Sequence, residues 1–555
     1  MPNFPPTQEQ QTVVDAVRIG MPKIIVNAGA GTGKSTQLEF CVEATPTSAN
    51  KLYLVFNKSA ETEAIARFEQ YPNMQIKTVD AFAKWLVIGN GYYSPKNYRV
   101  QDISDVFNVA WKERKPIYDA INKYLNSGDI APSGRYAKYV KEFFDKMDRD
   151  EIQKSFGYFM KKAHLGLANG SYSHKVENIY LAMIDEYQDT NGVSKAIFEY
   201  IPAKIHLKVG DKNQSIYKFR GAINSMEREL KSDGVVSYPL TVSYRYTQEI
   251  ADKANKILAT YKGEKNLLTG KGKGGDIKTR AMLSRTNAKL IYGIDRLNKG
   301  GYKYNTLRKA SEIFSVPITL AYMNMGNSLN AVKSWVQDNR PSMRYLVKEY
   351  EEYTKSKARQ PFIEWLRLTS RDIEIMSALG ILEDDKMSFD RLLELEQEAD
   401  FYNQNYKNQV EFYLSTIHTS KGLEWDSVTV AQDMRNYPYL IAKHIYNTYG
   451  DIGVLEDGID IFKKDYLEGI VDGNITEEFN LLYVAITRAK TNLTLPADVE
   501  LLFDVGKTNK NINNAYQEIV KKVEQQEQSY NYKTGFDNHK DNSMSPIRMG
   551  DLALS

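Results

Sequence analysis

Short apolar runs that end in glycine, polar or acidic residues recur along this chain, separated by segments with helical spacing. Ile24-Ile25-Val26, Leu52–Phe56, Tyr180–Ile184 and Ile205–Val209 have the length and continuity of buried strands. Ile76–Asp80 is a further strand-like run. A second set comprises Ala281–Ser284, Val410–Thr416, Val428–Val430 and Asn492–Leu495. Helical patterns lie between them, as at Gln37–Val42, Ile250–Ala254 and Glu477–Lys490. Strand and helix alternating through short connections predicts parallel, doubly wound sheets, so the fold class is α/β. Ligand-facing residues then belong at the C-terminal ends of the strands. Two stretches break the alternation. Residues 84–180 carry Trp111–Arg114, Tyr136–Val140 and Phe143-Phe144 at helical spacing, and residues 315–408 carry charged helical segments such as Asp390–Ala399. Each reads as a mostly helical insertion into a sheet domain. The expected organisation is 1–83 plus 181–234 for the first sheet domain and 84–180 for its insertion. The second sheet domain takes 235–314 plus 409–505, with 315–408 as its insertion. Residues 506–555 read as a polar, flexible tail with one amphipathic helix at Ala515–Gln528. Its apolar end, Pro546–Ser555, is either a partner-docking peptide or merely solvated.

Composition narrows the class. The chain has 555 residues, 42% hydrophobic and 26% charged, a globular profile long enough for several domains. Net charge is only +3, so a nucleic-acid groove must come from local clustering of the 73 Lys and Arg. Cys41 is the single cysteine, which excludes an internal disulfide and fits a reducing compartment. Six scattered histidines have no zinc-site spacing. No apolar run is long enough to span a bilayer, and Met1–Pro6 lacks a signal-peptide pattern.

The chemistry concentrates after the apolar runs. Ile24-Ile25-Val26 leads into Asn27-Ala28-Gly29-Ala30-Gly31-Thr32-Gly33-Lys34-Ser35-Thr36 and then a helical pattern. Strand, glycine-rich turn and helix is the context of a phosphate-binding loop: glycines let successive N–H groups face an anion, Lys34 reaches the β- and γ-phosphates, and the Ser35 hydroxyl sits on Mg²⁺. Tyr180–Ile184 ends in Asp185-Glu186-Tyr187-Gln188-Asp189-Thr190. Asp185 suits a Mg²⁺ ion held through its water shell, and Glu186 suits a general base; the bland alternative is an acidic first turn of a helix. Gln214 is placed to sense the γ-phosphate. Gln10 stands three residues after Thr7, either as half of a capping box or as an adenine-reading amide. In Tyr217-Lys218-Phe219-Arg220, aromatics alternate with cations, which suits base stacking or, on spacing alone, core residues at a turn.

Taken together and in order, these stretches resemble superfamily 1 helicases of the UvrD/Rep type, with Phe56–Ser59 and Asn480–Lys490 worded closer to the F-box DNA helicase subgroup. The resemblance implies two RecA-like domains with ATP in the cleft between them. Gln10 and Tyr244 would hold adenine, and Glu424 the ribose. Arg245 and Arg488 would reach across as arginine fingers. Residues Ala28 to Thr36 would cradle the phosphates, with Ser35 and Asp185 on Mg²⁺. Thr78, Tyr217, Phe219, Arg220 and His418 would contact single-stranded DNA. Departures are Ala28 opening the phosphate loop, Phe219 where Trp is usual, Asp80 where His is common, Ser243 where Asn is usual, and a shorter second insertion.

The implied activity is an ATP-dependent DNA helicase moving 3′→5′ on single strands and at single–double-strand junctions, in replication, repair or recombination. Rivals are a motor that mainly strips proteins from DNA and a nucleotide-gated binding module without translocation; the joint presence of Glu186, Gln214, Arg245 and Arg488 speaks against the module. No residue distinguishes a 2′-hydroxyl, so RNA as track stays open. We expect a monomer, in the cytoplasm with the nucleoid or in host cytoplasm for a viral chain.

Overall fold

Alternate residues of three strands in the N-terminal half pack into two different cores. In the computed structural model, which describes residues 4–218, 224–231, 235–406 and 410–535, Ile24, Val26, Tyr53, Val55, Leu181 and Met183 join one cluster. Ile25, Leu52, Leu54, Ala182 and Ile184 join the other. A sheet buried on both faces needs apolar side chains on both, which is why these strands read as continuous apolar runs.

The strands are β1 (Lys23–Ala28), β2 (Asn50–Val55), β3 (Met74–Thr78), β4 (Ile179–Ile184), β5 (Ile205–Gly210) and β6 (Ser237–Leu240). Among the described residues they form one parallel sheet in the order β3-β2-β4-β5-β1-β6. A short parallel pair follows, β7 (Val242–Ser243) with β8 (Thr269–Gly270). The second sheet contains β9 (Arg280–Ser284), β10 (Tyr304–Thr306), β11 (Phe412–Thr416), β12 (Trp425–Val430) and β13 (Ala489–Thr494). Its order is β10-β11-β9-β12-β13, again parallel throughout. Two parallel sheets carrying helical insertions fulfil the expected fold class.

Between β3 and β4 the described chain is helical, with its own core around Ile103, Ile117, Phe143 and Met147. Between β10 and β11 it is also helical, and the core there runs on from Leu414 of the sheet through Phe314 to Leu392.

Four expectations need correction. Residues 237–240 were expected in the second sheet domain, but β6 pairs with β1 and closes the edge of the first sheet. The strand expected at Ile76–Asp80 stops at Thr78, whose hydroxyl caps the helix Val79–Ile88. The helix expected to reach Lys490 ends at Ile486, and β13 begins at Ala489.

The fourth concerns the tail. Residues 435–472 do not belong with the second sheet; together with 260–263 and the chain from Ala497 they make a separate compact unit. In that unit a helix runs Val505–Gly535, well before Ala515, and packs on the helices Tyr437–Tyr449 and Gly458–Glu468. Ile512 and Tyr516 are fully buried. The polar residues that made this stretch look like a flexible tail bind backbone instead: Asn509 and Asn513 accept from the Ile459 and Leu455 N–H groups at 3.0 and 2.9 Å. The Tyr516 hydroxyl donates to the Gly450 carbonyl (2.6 Å) and accepts from Ile452 N–H (2.7 Å). Residues 536–555, including the apolar end, lie outside the described residues. Among the described residues no helix is long and apolar enough to cross a membrane.

Removing that hydroxyl takes a hydrogen-bond partner from two part-buried backbone groups. Tyr516→Phe is expected to lower unfolding stability by about 1–3 kcal/mol, read as a drop in the urea midpoint; an unchanged midpoint would argue against a packed helix there.

Candidate active site

The loop after β1 is shaped by two glycines with left-handed backbone, Gly31 (φ 70) and Gly33 (φ 82), the second at the N-cap of the helix Lys34–Glu43. Thr32 folds back, its hydroxyl donating to the Gly29 carbonyl at 2.9 Å. The segment after β6 lies directly on this loop. Gly29 N–H donates to the Leu240 carbonyl (3.0 Å), and a Cβ at Gly31 would stand 2.6 Å from Ser243 Oγ and 2.8 Å from Arg245 Cβ. A helix N-terminus behind a glycine turn presents N–H groups and a positive dipole end to an anion.

At the end of β4, Asp185 accepts from Glu186 N–H at 2.7 Å and from the Tyr53 hydroxyl at 3.3 Å. Glu186 adopts left-handed backbone (φ 50), an uncommon conformation for a residue with a Cβ. Its carboxylate accepts from the Gln188 amide and lies 3.3 Å from the Lys421 ammonium, which comes from the loop between β11 and β12. Lys421 also pairs with Asp189 and donates to the Gln214 carbonyl at 2.9 Å. Burial, then the Glu186 charge, raises the Asp185 carboxyl. Burial alone would raise Glu186 too, but Lys421 and Lys34 outweigh it and hold that carboxyl below the usual range.

After β5, Asp211 accepts from the Gln214 amide (2.8 Å) and from the Tyr483 hydroxyl (2.9 Å). The same hydroxyl accepts from Ala30 N–H at 3.0 Å, so one buried phenol ties the helix Gly473–Ile486 to the phosphate loop. Arg488, 1% exposed, spends its guanidinium on the Val484 carbonyl, the Leu423 carbonyl and the Thr487 hydroxyl at 3.1, 3.1 and 3.2 Å. Burial and then nearby Arg245 pull it down to about 9, still charged at neutral pH. Arg245 pairs with Glu424, which also lies 3.3 Å from Lys490.

Lys34, Asp185, Glu186, Asp189, Lys421 and both arginines line one cavity of about 580 Å³. Of the residues expected at a nucleotide, it brings together Gly31, Gly33, Lys34, Ser35, Thr36, Asp185, Glu186, Gln214, Arg245, Glu424 and Arg488. Ala28 ends β1 and Gly29, Ala30 and Thr32 form the body of the loop, none of them lining the cavity. Gln10 fulfils its structural reading: it makes a reciprocal capping box with Thr7. Its amide nitrogen also sits 3.4 Å from where a Cβ on Gly33 would stand, so it touches the loop as well. Tyr244 is 59% exposed, beside Arg245.

The expected DNA contacts are more dispersed. Tyr217 lines the cavity, its ring stacked on Phe56 (5.9 Å, 11°) and its hydroxyl donating to the His418 carbonyl at 3.2 Å. The Thr78 hydroxyl is engaged as a helix cap, accepting from Ala81 N–H at 3.1 Å. Phe219 and Arg220 lie outside the described residues. Lys421, Asp189, Asp211 and Tyr483 carry the site's polar connections yet were not singled out from sequence. They lie inside the same motif-like stretches, but nothing in spacing tells that Lys421 meets a carboxylate 232 positions away.

The fold and this cavity define a two-lobed phosphate-loop protein. Residues 95–233 match the UvrD/REP helicase N-terminal domain and residues 303–499 the UvrD-like helicase C-terminal domain, so the chain belongs to the UvrD-like helicase family. It is 24% identical to F-box DNA helicase protein 1 of Schizosaccharomyces pombe, over 90% of this chain and 58% of that protein. It is 27% identical to F-box DNA helicase 1 of Gallus gallus, over 58% of this chain and 29% of that protein. Against the ATP-dependent DNA helicase UvrD2 of Mycobacterium bovis it is 24% identical, over 56% of this chain and 46% of that protein. The chain thus spans well under two thirds of each of these relatives.

Tyr483→Phe removes the hydroxyl shared by Ala30 N–H and Asp211. A stability loss of about 1–3 kcal/mol is expected, measured by chemical unfolding; wild-type stability would mean the contact is immaterial.

Proposed function

We propose that this chain is an ATP-driven motor on single-stranded DNA that separates strands while moving 3′→5′. The observation that carries the reading is that Lys34 and Glu186 from the first sheet share one cavity with Arg245 and Arg488 from the other side of the cleft. Charge stabilisation divided between two lobes makes hydrolysis depend on closure, and closure once per ATP moves one lobe against the other. DNA as the track, and the coupling of its unwinding to ATP, are supported by the names of the relatives, which are DNA helicases.

In this reading Lys34 and the loop N–H groups bind the phosphates, with Gln10 and Tyr244 at the base and Glu424 at the ribose. Ser35 and Asp185 would hold Mg²⁺: a hydroxyl and a buried carboxylate are hard oxygen donors, and this metal commonly takes one or two such ligands beside phosphates and water. Bound there, the ion neutralises developing phosphate charge. Glu186 takes the proton of the attacking water, Gln214 orients at the γ-phosphate, and Arg245 and Arg488 stabilise the transferred group. In the same reading Tyr217, whose ring centre lies 5.2 Å from the Lys421 ammonium and whose hydroxyl donates to the His418 carbonyl, would bring the strand path beside the hydrolytic groups.

Glu186→Gln should bind ATP normally and lose turnover by about 10²–10⁴-fold, because an amide takes no proton; normal phosphate release by this variant would remove Glu186 as the base. Lys421 holds the Glu186 carboxyl low, so Lys421→Met should raise it and move the acid limb of the ATPase pH profile to higher pH. A limb that stays in place would show that the ammonium does not tune the base. Direction is tested with 3′-tailed and 5′-tailed duplexes in the presence of ATP. Unwinding confined to the 3′-tailed substrate is expected, and 5′-only unwinding would reverse the polarity.

A further inference from the structure

Asp185 is bound at both of its carboxylate oxygens, and the two donors differ in kind. One oxygen accepts from the backbone N–H of Glu186 at 2.7 Å, a bond that any residue but proline could make from position 186. The other accepts from the Tyr53 hydroxyl at 3.3 Å, so it depends on a single side chain of another strand.

The pairing of β2 with β4 brings that side chain there. Tyr53 lies opposite Met183 in the register. Asp185 follows Met183 by two residues, and side chains two apart on a strand share a face. The phenol therefore reaches Asp185 from one rung below. Val55, the next β2 residue in the same core, is apolar and has no proton to give. The Tyr53 ring is 4% exposed and meets the Phe68 ring edge-on, with centres 5.5 Å apart at 71°. Core packing thus places the hydroxyl before any ligand arrives. Tyr53 also lines the cavity that holds Lys34, Ser35 and Asp185.

A carboxylate turns easily about its last torsion, whose preferences are broad and two-fold. One donor pins one oxygen and leaves the plane free to swing. Donors on both oxygens fix the plane and still leave a lone pair on each. We propose that Tyr53 is a positioning residue for the Mg²⁺ carboxylate: it holds the plane of Asp185 so that the unused lone pairs face the ion, and so sets how much the metal adds to nucleotide affinity. Its role rests on the ATP and Mg²⁺ reading above, in which Tyr53 has no part. Nothing in the apolar run Leu52–Phe56 marks the residue for this duty; the strand register does.

The test measures ATPγS binding to the full chain in EDTA and in saturating Mg²⁺, the ratio being the metal-dependent gain. Partners that orient metal ligands are typically worth 10–100-fold in metal affinity, so Tyr53→Phe, which keeps the ring, should cut the gain by about ten-fold. Affinity in EDTA should stay at the wild-type value. Retention of Mn²⁺ in the presence of ATPγS, followed by electron paramagnetic resonance, should fall with it. A wild-type gain in Tyr53→Phe overturns the proposal. So does an equal loss of affinity with and without metal, which is the mark of packing alone. Asp185→Asn should lose the gain in full; a wild-type gain in that variant would remove the ion from this carboxylate and fail the Mg²⁺ reading itself, a separate outcome.

Discussion

An ammonium group cannot be taken out of water without partners, and Lys421 has its partners on the opposite sheet. Its charge lies among Glu186, Asp189 and the Gln214 carbonyl, all supplied by the first lobe. Burial depresses a lysine, yet the two carboxylates outweigh it and keep this one above its ordinary range. Removing either partner while the cleft stays closed would leave a buried charge uncompensated, a cost of several kcal/mol. The neutral contacts keep the same register: Tyr483 to Ala30 and Asp211, and Asn480 to the Ser215 carbonyl at 2.8 Å. The cleft is thus set by electrostatics first and trimmed by hydrogen bonds.

That arrangement explains two backbone choices. Gly31 is needed because Ser243 and Arg245 press against it, and its positive φ would strain any other residue. Ser243, standing where the family resemblance leads one to expect Asn, is fully buried and caps Arg245 N–H at 3.3 Å, so a small hydroxyl suits the space beside the glycine. Glu186 is the opposite case, a residue with a side chain held in left-handed backbone because Asp185, Gln188 and Lys421 fix it from several directions.

The strands and the phosphate loop were legible because a parallel sheet covered on both faces leaves uninterrupted apolar runs, and because glycine spacing reports backbone shape directly. What was illegible depends on pairings across distance. Nothing local marks Ser237–Leu240 as the edge of the first sheet, since its partner β1 lies some two hundred residues upstream. The helix Val505–Gly535 was hidden by its own chemistry: Asn509, Asn513 and Tyr516 look like a solvated tail until their backbone acceptors and donors are seen. Gln10 and Thr78 show a third limit. Each has a local capping duty that spacing can predict, and that duty neither requires nor forbids a second one.

The first sheet is finished at Leu240, and from there the described chain does not return to it; Thr241 alone separates that strand from β7. Thr241 is held by Glu9, through its N–H at 2.8 Å and its hydroxyl at 2.6 Å. The chain leaving the first sheet is therefore bolted to the N-terminal helix before it enters the β7–β8 pair, and the second sheet begins only at Arg280. A swivel of the second sheet is then taken up beyond that anchor, along the stretch from β7 to β9, while the point at which the chain leaves the phosphate-loop side stays clamped like the fixed end of a hinge.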